Sequence, residues 1–575
     1  MTGIFGVLDA QGVDVRRVSA AAGAASFRGE PVVWCEGPFA LGHYRQEAGW
    51  SSLAVNPETV VAIDGRIDAT LAGTPSSLLG GEFRGHALLA AVLTRHGGAG
   101  LSGLAADFAV ARLDRQRGVL LLSRDAFALR PLFWAKRGRS MAFASDPEVL
   151  ISLGFATGAL DRERVSSYLA GWEFDGERSA FEGVLRVEGG TCLEADLEGR
   201  INTARWFHPE EVAEQPCTLT EAAGALREVL DAAVVDRTNG RRAALLLSGG
   251  RDSGSVALAG ARSGAELTCL TKQYPPGLGC SEEAEAEELA RSVGYDCRRV
   301  VMPSAPTEAQ LITEPHLSGT PLALASFNEH AALRAGVAAS DAEVVVDGDG
   351  GDTLFEAGPI AALDLVRRWR FRQGAAVLRF FPRAGRYSSV AVAKRVGRAV
   401  CPAWLVGTRD RYRRPPPWVV FPVRHPVSKE ARNSRRELTD ELVAYSLDPT
   451  QELAERLMTL AGARRTSPLL DQRVVQLALS WPVDLRASLL RPKPVLGALL
   501  GPLDESRRKA NFLPYYLAMA EASRRSFATW YGPDSQCARQ GYVDGRSQVS
   551  DRSHDHSSLG LLQCLALEAW LRRTG

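Results

Sequence analysis

Residues Ala243-Ala244-Leu245-Leu246-Leu247 form a short continuous apolar run, and Ser248-Gly249-Gly250-Arg251-Asp252-Ser253 follows without a break. A run that is apolar at every position suits a parallel strand covered on both faces. The two glycines permit a tight turn and let the backbone approach an anion with no Cβ in the way. Ser253 to Ala261 is small and apolar enough to begin a helix, whose N-terminus attracts a polyphosphate. Strand, glycine turn and helix in this order predict a phosphate-binding corner. It is not the Walker pattern, because no Gly-Lys-Ser/Thr follows at the required spacing.

The surroundings fit this corner. From about residue 217, strands alternate with helical segments: helix Leu226 to Arg237, strand Ala243 to Leu247, helix Ser253 to Arg262, strand Glu266 to Thr271. That alternation predicts a parallel sheet with crossover helices. Residues 1 to about 205 instead carry short apolar runs broken by Gly and Asp, such as Val60-Val61-Ala62-Ile63, with a helix expected from Ala87 to His96. Beyond about 359 the pattern is mostly helical. The length of 575 residues allows two to four domains with full cores.

A second loop carries the chemistry. Strand Glu343-Val344-Val345-Val346 leads into Asp347-Gly348-Asp349-Gly350-Gly351-Asp352, six residues holding three acids and three glycines. Carboxylates this close repel unless a cation or hydrogen-bond donors compensate them. Mg²⁺ is the natural partner, bound by one or two carboxylates plus phosphate oxygens. Asp252 and Asp352 are the expected metal ligands. Ser248, Gly249, Gly250 and Ser253 are expected to cradle phosphates, with Gly348, Gly350 and Gly351 beside them and Lys272 near the nucleotide.

The spelling Ser-Gly-Gly-x-Asp-Ser resembles the pyrophosphate loop of ATP pyrophosphatases. Together with Gly348 to Asp352 it resembles the synthetase domain of asparagine synthetase-like enzymes. Gly3-Ile4-Phe5-Gly6, Asp64 to Asp68, Ser123 to Phe133 and Phe143 to Pro147 resemble a glutamine amidotransferase domain with an N-terminal nucleophile (Ntn) fold. The resemblance implies a mixed α/β and α+β chain. An Ntn-type αββα sandwich over 1–205 precedes an ATP-pyrophosphatase-like parallel sheet with a largely helical C-terminal part over 217–575. It also implies ATP as substrate, adenylation of a carboxylate, and Lys493 in Arg491-Pro492-Lys493-Pro494 as the catalytic lysine.

The chain departs from the family pattern at its nitrogen source. Glutamine-using members carry Cys after the initiator Met, where this chain has Thr2; their Asn-Gly has become Asp64-Gly65, and Phe83 to Arg95 offers no acid for the glutamine amine. An N-terminal Thr can act as a nucleophile, but the binding groups are altered as well. We therefore expect an inactive glutaminase domain and an amine supplied by the substrate. Asparagine- and β-lactam-forming members carry a Glu where Arg464 stands, and the β-lactam branch pairs it with a Tyr at the position of Asp349. Gly462-Ala463-Arg464 with Gly348-Asp349-Gly350-Gly351-Asp352 most resembles the macrolactam synthetases that close lasso peptides. On that resemblance Arg464 joins the catalytic set and Asp349 is the candidate base. A precursor core peptide is the implied substrate, and a leader-binding protein and leader peptidase are implied partners. A β-lactam-type or asparagine synthetase acting on a small molecule stays open, as does a non-catalytic nucleotide- or peptide-binding scaffold.

One segment is not absorbed by this reading. Between Arg367 and Arg436 nineteen Lys/Arg stand against Asp410 and Glu430, with Trp369, Trp404 and Pro415-Pro416-Pro417-Trp418 interleaved. It reads as a basic helical insertion around 367–436: a solvated face, or a docking surface for an acidic peptide or partner. The net charge of +1 argues against nucleic acid. With no apolar run long enough to span a bilayer, no signal-peptide pattern and nine scattered cysteines lacking a Cys-x-x-Cys pair, a cytoplasmic protein is expected.

Overall fold

The computed structural model describes residues 2–45, 50–71, 85–170, 176–305, 307–321, 327–383, 388–400, 418–421, 432–445, 448–486, 492–504, 511–545 and 556–574. The N-terminal part is built on two six-stranded sheets whose paired strands are antiparallel. One runs in the order Val184–Arg186, Phe133–Arg137, Ser140–Ala144, Ile4–Leu8, Phe39–Arg45, Glu30–Glu36. The other runs Ile201–Arg205, Thr191–Ala195, Val119–Arg124, Leu104–Asp114, Thr59–Thr70, Ser51–Val55.

Strand alternation explains the layering. Ile4 and Leu8 face Val60, Ala62, Ala109, Ala111 and Leu122 between the sheets. Phe5 and Val7, at the alternate positions, face Val18, Ala21, Val149 and Leu150 of the helices Val15–Ala22 and Pro147–Ser152. On the other side Val61, Ile63, Phe108 and Val110 pack against Leu88, Leu89, Val92 and Leu93 of the helix Gly85–His96. A period-2 pattern apolar on both faces yields this αββα sandwich, as expected.

The third sheet is parallel throughout, in the order Cys297–Val301, Leu267–Gln273, Ala243–Leu246, Val344–Val346, Arg464–Thr466. Ala243 and Leu245 enter one core and Ala244 another, so the central strand is covered on both faces. The helix before it, Leu219–Thr238, is longer than the apolar pattern predicted because a capping box between Thr218 and Glu221 starts it earlier. C-terminal of 359 the described elements are helical apart from the short strand Arg464–Thr466, which completes the sheet edge. The basic segment begins at the end of the helix Ala361–Arg367 and holds the helices Phe371–Arg383 and Ser389–Val400 and the start of Ser434–Tyr445. Trp404 and Pro415 to Pro417 lie outside the described residues. No helix among the described residues is long and apolar enough to cross a membrane.

Candidate active site

The two glycine-bearing loops leave neighbouring parallel strands, since Ala243–Leu246 pairs directly with Val344–Val346. Both therefore emerge at the carboxyl end of the sheet, where open α/β sheets bind ligands. In the first loop Ser253 Oγ accepts from Ser248 N at 3.0 Å and lies 3.0 Å from Ser248 Oγ, which accepts from Gly250 N at 3.2 Å. These bonds close the turn around the N-terminus of the helix Arg251–Ser263, with Gly250 at its N-cap and Asp252 in its first turn.

The second loop lies directly on the first, and its glycines make this possible. A Cβ on Gly348 would stand 2.7 Å from Ser253 N, and one on Gly351 would stand 2.3 Å from Asp252 Cγ. Gly350 adopts φ +90°, and a Cβ there would meet Leu470 at 2.5 Å. Three glycines that the composition alone marks as an anion cradle thus also permit loop-on-loop packing.

Lys493 joins the loops. Its ammonium bonds Asp252 Oδ2 and lies 2.6 Å from Asp352 Oδ1. Pro494 disfavours the right-handed helical region for Lys493, which instead takes φ +54° as N-cap of the helix Pro494–Leu500. That conformation costs about 1–2 kcal/mol in a non-glycine residue, and surrounding contacts sustain it. Arg251, beside Asp252, forms a two-pronged pair with Asp504 at 2.5 and 3.1 Å, and Asp504 packs on Gly497 of the same helix. Asp252, Asp352 and Lys493, from three distant parts of the chain, share one point. Since both carboxylates reach a single cation there, their donor set also suits a divalent ion completed by phosphate oxygens.

Asp349 stands at the mouth, about half exposed. Its carboxylate pairs with Arg465 and is 3.5 Å from Gln451 Nε2. Arg465 also donates to Asp347 Oδ2 at 2.6 Å and to Gln451 Oε1 at 2.5 Å. Asp347, buried, accepts from Ser467 Oγ at 2.6 Å. Burial raises the Asp347 carboxyl above its usual range, with Asp349 adding to the rise and Arg465 opposing it.

Arg464 is not brought to this site. Adjacent residues of a strand point to opposite faces, so while Arg465 reaches the acidic loop, Arg464 turns towards the N-terminal sandwich. Its guanidinium lies 4.3 Å from the centre of the Trp50 ring. Burial and the nearby Arg130 pull its pKa down to about 9. Resemblance puts Arg464 in the catalytic set, but this alternation turns it away from the acidic loop, and the arginine touching Asp349 is Arg465. Lys272 is placed at the carboxyl end of Leu267–Gln273, where its ammonium pairs with Glu329, a carboxylate that also accepts from Tyr516 Oη at 2.7 Å and Tyr274 Oη at 3.2 Å. A contact of Lys272 with a nucleotide would have to break or share that pair. Arg465, Gln451, Ser467 and Glu329 escaped sequence reasoning; the Arg464-Arg465-Thr466-Ser467 run was visible, but which member faces the loop depends on sheet register.

The N-terminal residues form a different kind of cluster. Thr2 is buried, and its hydroxyl accepts from Arg130 Nη2 at 2.9 Å while its carbonyl accepts from Arg28. Asp64, in place of the family's Asn, is fully buried and pairs with Arg130 at 3.3 Å. Glu455, from the helix Pro449–Leu460, closes the cluster at 2.9 Å from Arg130 and 3.1 Å from Arg28. Burial opposes its ionisation, but Arg28 and Arg130 outweigh that and hold its pKa at about 2.

Residues 225–572 match the asparagine synthase family, which is more than half of the chain. The chain belongs to that family. Residues 78–207 also match a glutamine amidotransferase domain. Among curated relatives, Amidase chry2 of Gibberella zeae is 25% identical over 286 residues, covering 47% of this chain and 42% of the relative. A putative glutamine-hydrolysing asparagine synthetase of Methanocaldococcus jannaschii is 26% identical over 280 residues, 44% of this chain and 45% of its own. The chain thus spans less than half the length of these curated relatives. A solved glutamine phosphoribosylpyrophosphate amidotransferase from B. subtilis overlaps 52% of this chain and 65% of its own at 14% identity, with a TM-score of 0.26.

Proposed function

We propose that this asparagine synthase-family protein is an ATP-dependent carbon–nitrogen ligase that takes its amine from the substrate itself and closes a macrolactam in a ribosomal peptide. The supporting observation is the contrast between its two sites. The loops around Asp252, Asp352 and Lys493 converge at the sheet's carboxyl end, whereas the Thr2 hydroxyl is engaged by Arg130 in a cluster filled by Asp64, Arg28 and Glu455. A glutaminase needs a free nucleophile and an open glutamine pocket, so the engaged Thr2 hydroxyl and the buried charges around it support an inactive domain.

The reaction joins carboxylate and amine. The carboxylate attacks the α-phosphorus of ATP, the α,β-phosphoanhydride bond breaks, and pyrophosphate leaves an acyl-adenylate. The amine then attacks the acyl carbon, AMP leaves, and the nitrogen loses a proton. Ser248, Gly249, Gly250 and Ser253 would hold the pyrophosphate at the helix N-terminus. Asp252 and Asp352 would hold Mg²⁺, which would neutralise phosphate charge. Lys493 would pair with the phosphates and stabilise the oxyanion of the tetrahedral intermediate, an interaction worth about 2.7–4 kcal/mol. Asp349, at the mouth and held by Arg465, would accept the proton of the incoming amine. An α-amine has a pKa of about 7.7–8.0, so an appreciable neutral fraction is present near pH 7 and a weak base suffices.

The activated group is proposed to be an Asp or Glu side chain of a precursor peptide, and the nucleophile that peptide's N-terminal amine. A leader-binding protein and a leader peptidase would act in the same route. The test is pyrophosphate release in the presence of ATP, Mg²⁺ and candidate core peptides, with mass spectrometry for loss of one water. Asp252→Ala or Asp352→Ala is expected to abolish both. Equal release with free aspartate plus ammonia would exclude the peptide reading and leave a small-molecule ligase.

A further inference from the structure

The basic insertion borders a cavity separate from the loops described above. It measures about 330 Å³. Arg367, Arg368, Arg435 and Arg486 line it together with the carboxylates of Asp364 and Glu214, and Trp481 and Leu438 form part of its apolar floor. Two of the arginines are already compensated, since Arg367 pairs with Asp364 at 3.2 Å and Arg368 with Glu214 at 2.9 Å. The other two form no ion pair among the described residues, although Glu437, Glu441 and Glu214 act on Arg486 from nearby. Arg486 is 95% buried by its exposure of 5%, and its Nε has no hydrogen-bond partner among the described residues. Arg435 donates one nitrogen to the Leu479 carbonyl at 3.0 Å, while its buried Nη2 has no partner among the described residues. Burial lowers the Arg486 guanidinium to about 10 even with Glu437 nearby, as for a cation short of a counter-ion. Glu437 itself pairs with Arg395 at 2.8 Å.

Directly after the lining residue Arg368, the chain carries two exposed aromatics. Trp369 is 82% and Phe371 53% exposed, and their rings meet edge-on at 5.7 Å. Trp369 takes φ +63°, unusual for a bulky residue and held against solvent. A buried guanidinium facing a cavity calls for a charge-assisted partner, and exposed paired aromatics beside it call for an apolar side chain.

We propose that this pocket takes a carboxylate of an acidic peptide segment, whose neighbouring apolar side chain lies on Trp369 and Phe371. Flanking arginines neutralised by Asp364 and Glu214 leave one localised anion position, which suits a single side chain. Trp481 connects the pocket to the acidic loop: its ring centre lies 5.8 Å from that of Phe355, tilted by 43°, and Phe355 is the last residue of the helix Gly351–Phe355 that carries Asp352. Occupancy of the pocket thus bears on the packing behind that helix. This inference does not depend on the amide-forming reading.

The test uses the full chain without ATP and a fluorescein-labelled hexapeptide of alternating Glu and Leu, read by fluorescence anisotropy. Saturable binding is expected, absent for the same peptide with Gln in place of Glu. It should weaken at least tenfold in the Arg435→Gln/Arg486→Gln double variant and severalfold in Trp369→Ser, whose exposed side chain leaves the fold intact. Thermal melts report whether the double variant folds, and Trp369→Ser decides the matter if it does not. Equal binding by wild type and Trp369→Ser, or by the Glu and Gln peptides, would overturn the proposal. So would sulfate stabilising the protein while the peptide fails to bind, since the pocket would then be a small-anion site.

Discussion

Glu455 shows how one residue can tie the N-terminal sandwich to the synthetase part of the chain. Its carboxylate is enclosed by Arg28 and Arg130, all three almost fully buried. Removing one partner of such a group leaves uncompensated charge and costs about 3–5 kcal/mol. Glu455→Gln is therefore expected to lower the melting temperature by many degrees, measured by differential scanning fluorimetry. The sign of the pH effect follows from the folded pKa of about 2 against the ordinary carboxyl value near 4.3. The folded state holds Glu455 ionised, so its stabilisation is complete above the ordinary value and is lost as pH falls towards 2. The acid limb of the stability curve should be shallower in Glu455→Gln than in wild type; parallel limbs would contradict this assignment. Thr2 behaves differently. Its hydroxyl accepts a hydrogen bond from Arg130, so Thr2→Ala is expected to cost about 0.5–1.5 kcal/mol and leave ligase turnover unchanged.

At the level of elements, the loops are matched to each other through backbone proximity. Gly351→Ala would drive a methyl group onto the Asp252 carboxylate, displacing it from Lys493. Loss of more than tenfold in kcat with little change in melting temperature is expected, because the Asp252 carboxylate can swing aside and the strands beneath are untouched. Arg465→Gln should also lower kcat by freeing Asp349 and Asp347, and should shift the pH–rate profile, which a purely structural defect would not do. The two loops were legible in the sequence because their glycines and acids are concentrated in a few consecutive residues. Lys493 was legible through resemblance and its flanking prolines. Arg464 and Arg465 were not distinguishable, since a strand three residues long carries too few alternations to show which face is buried. Lys272 was placed at the correct strand end, but its partner Glu329 lies 57 positions away and nothing local announces it. The same holds for Glu455, whose partners are more than 300 residues distant.

Over the whole molecule, the N-terminal sandwich and the parallel sheet are joined by buried charge as well as by apolar packing. Arg124 and Arg186 hold Glu452 at 3.1 and 2.8 Å, one helical turn from Glu455 on the same helix. On the other flank Arg237 pairs with Asp107 at 3.2 Å, and Asp107 accepts from Thr466 of the parallel sheet at 3.1 Å. The helix Pro449–Leu460 is thus clamped by the sandwich on one side and leads, four residues on, to the strand that positions Arg465. This arrangement gives the N-terminal domain a structural role whatever its chemistry: without it, Glu452 and Glu455 lose their counter-ions and the helix that sets Arg465 loses its support. Residues 217–575 expressed alone are accordingly expected to be insoluble or to lack a cooperative melt, and the full chain to unfold in one transition with the two halves lost together. Scanning calorimetry reads both outcomes. Two separated transitions, or a soluble and active 217–575 fragment, would mean that the sandwich is dispensable to the ligase site.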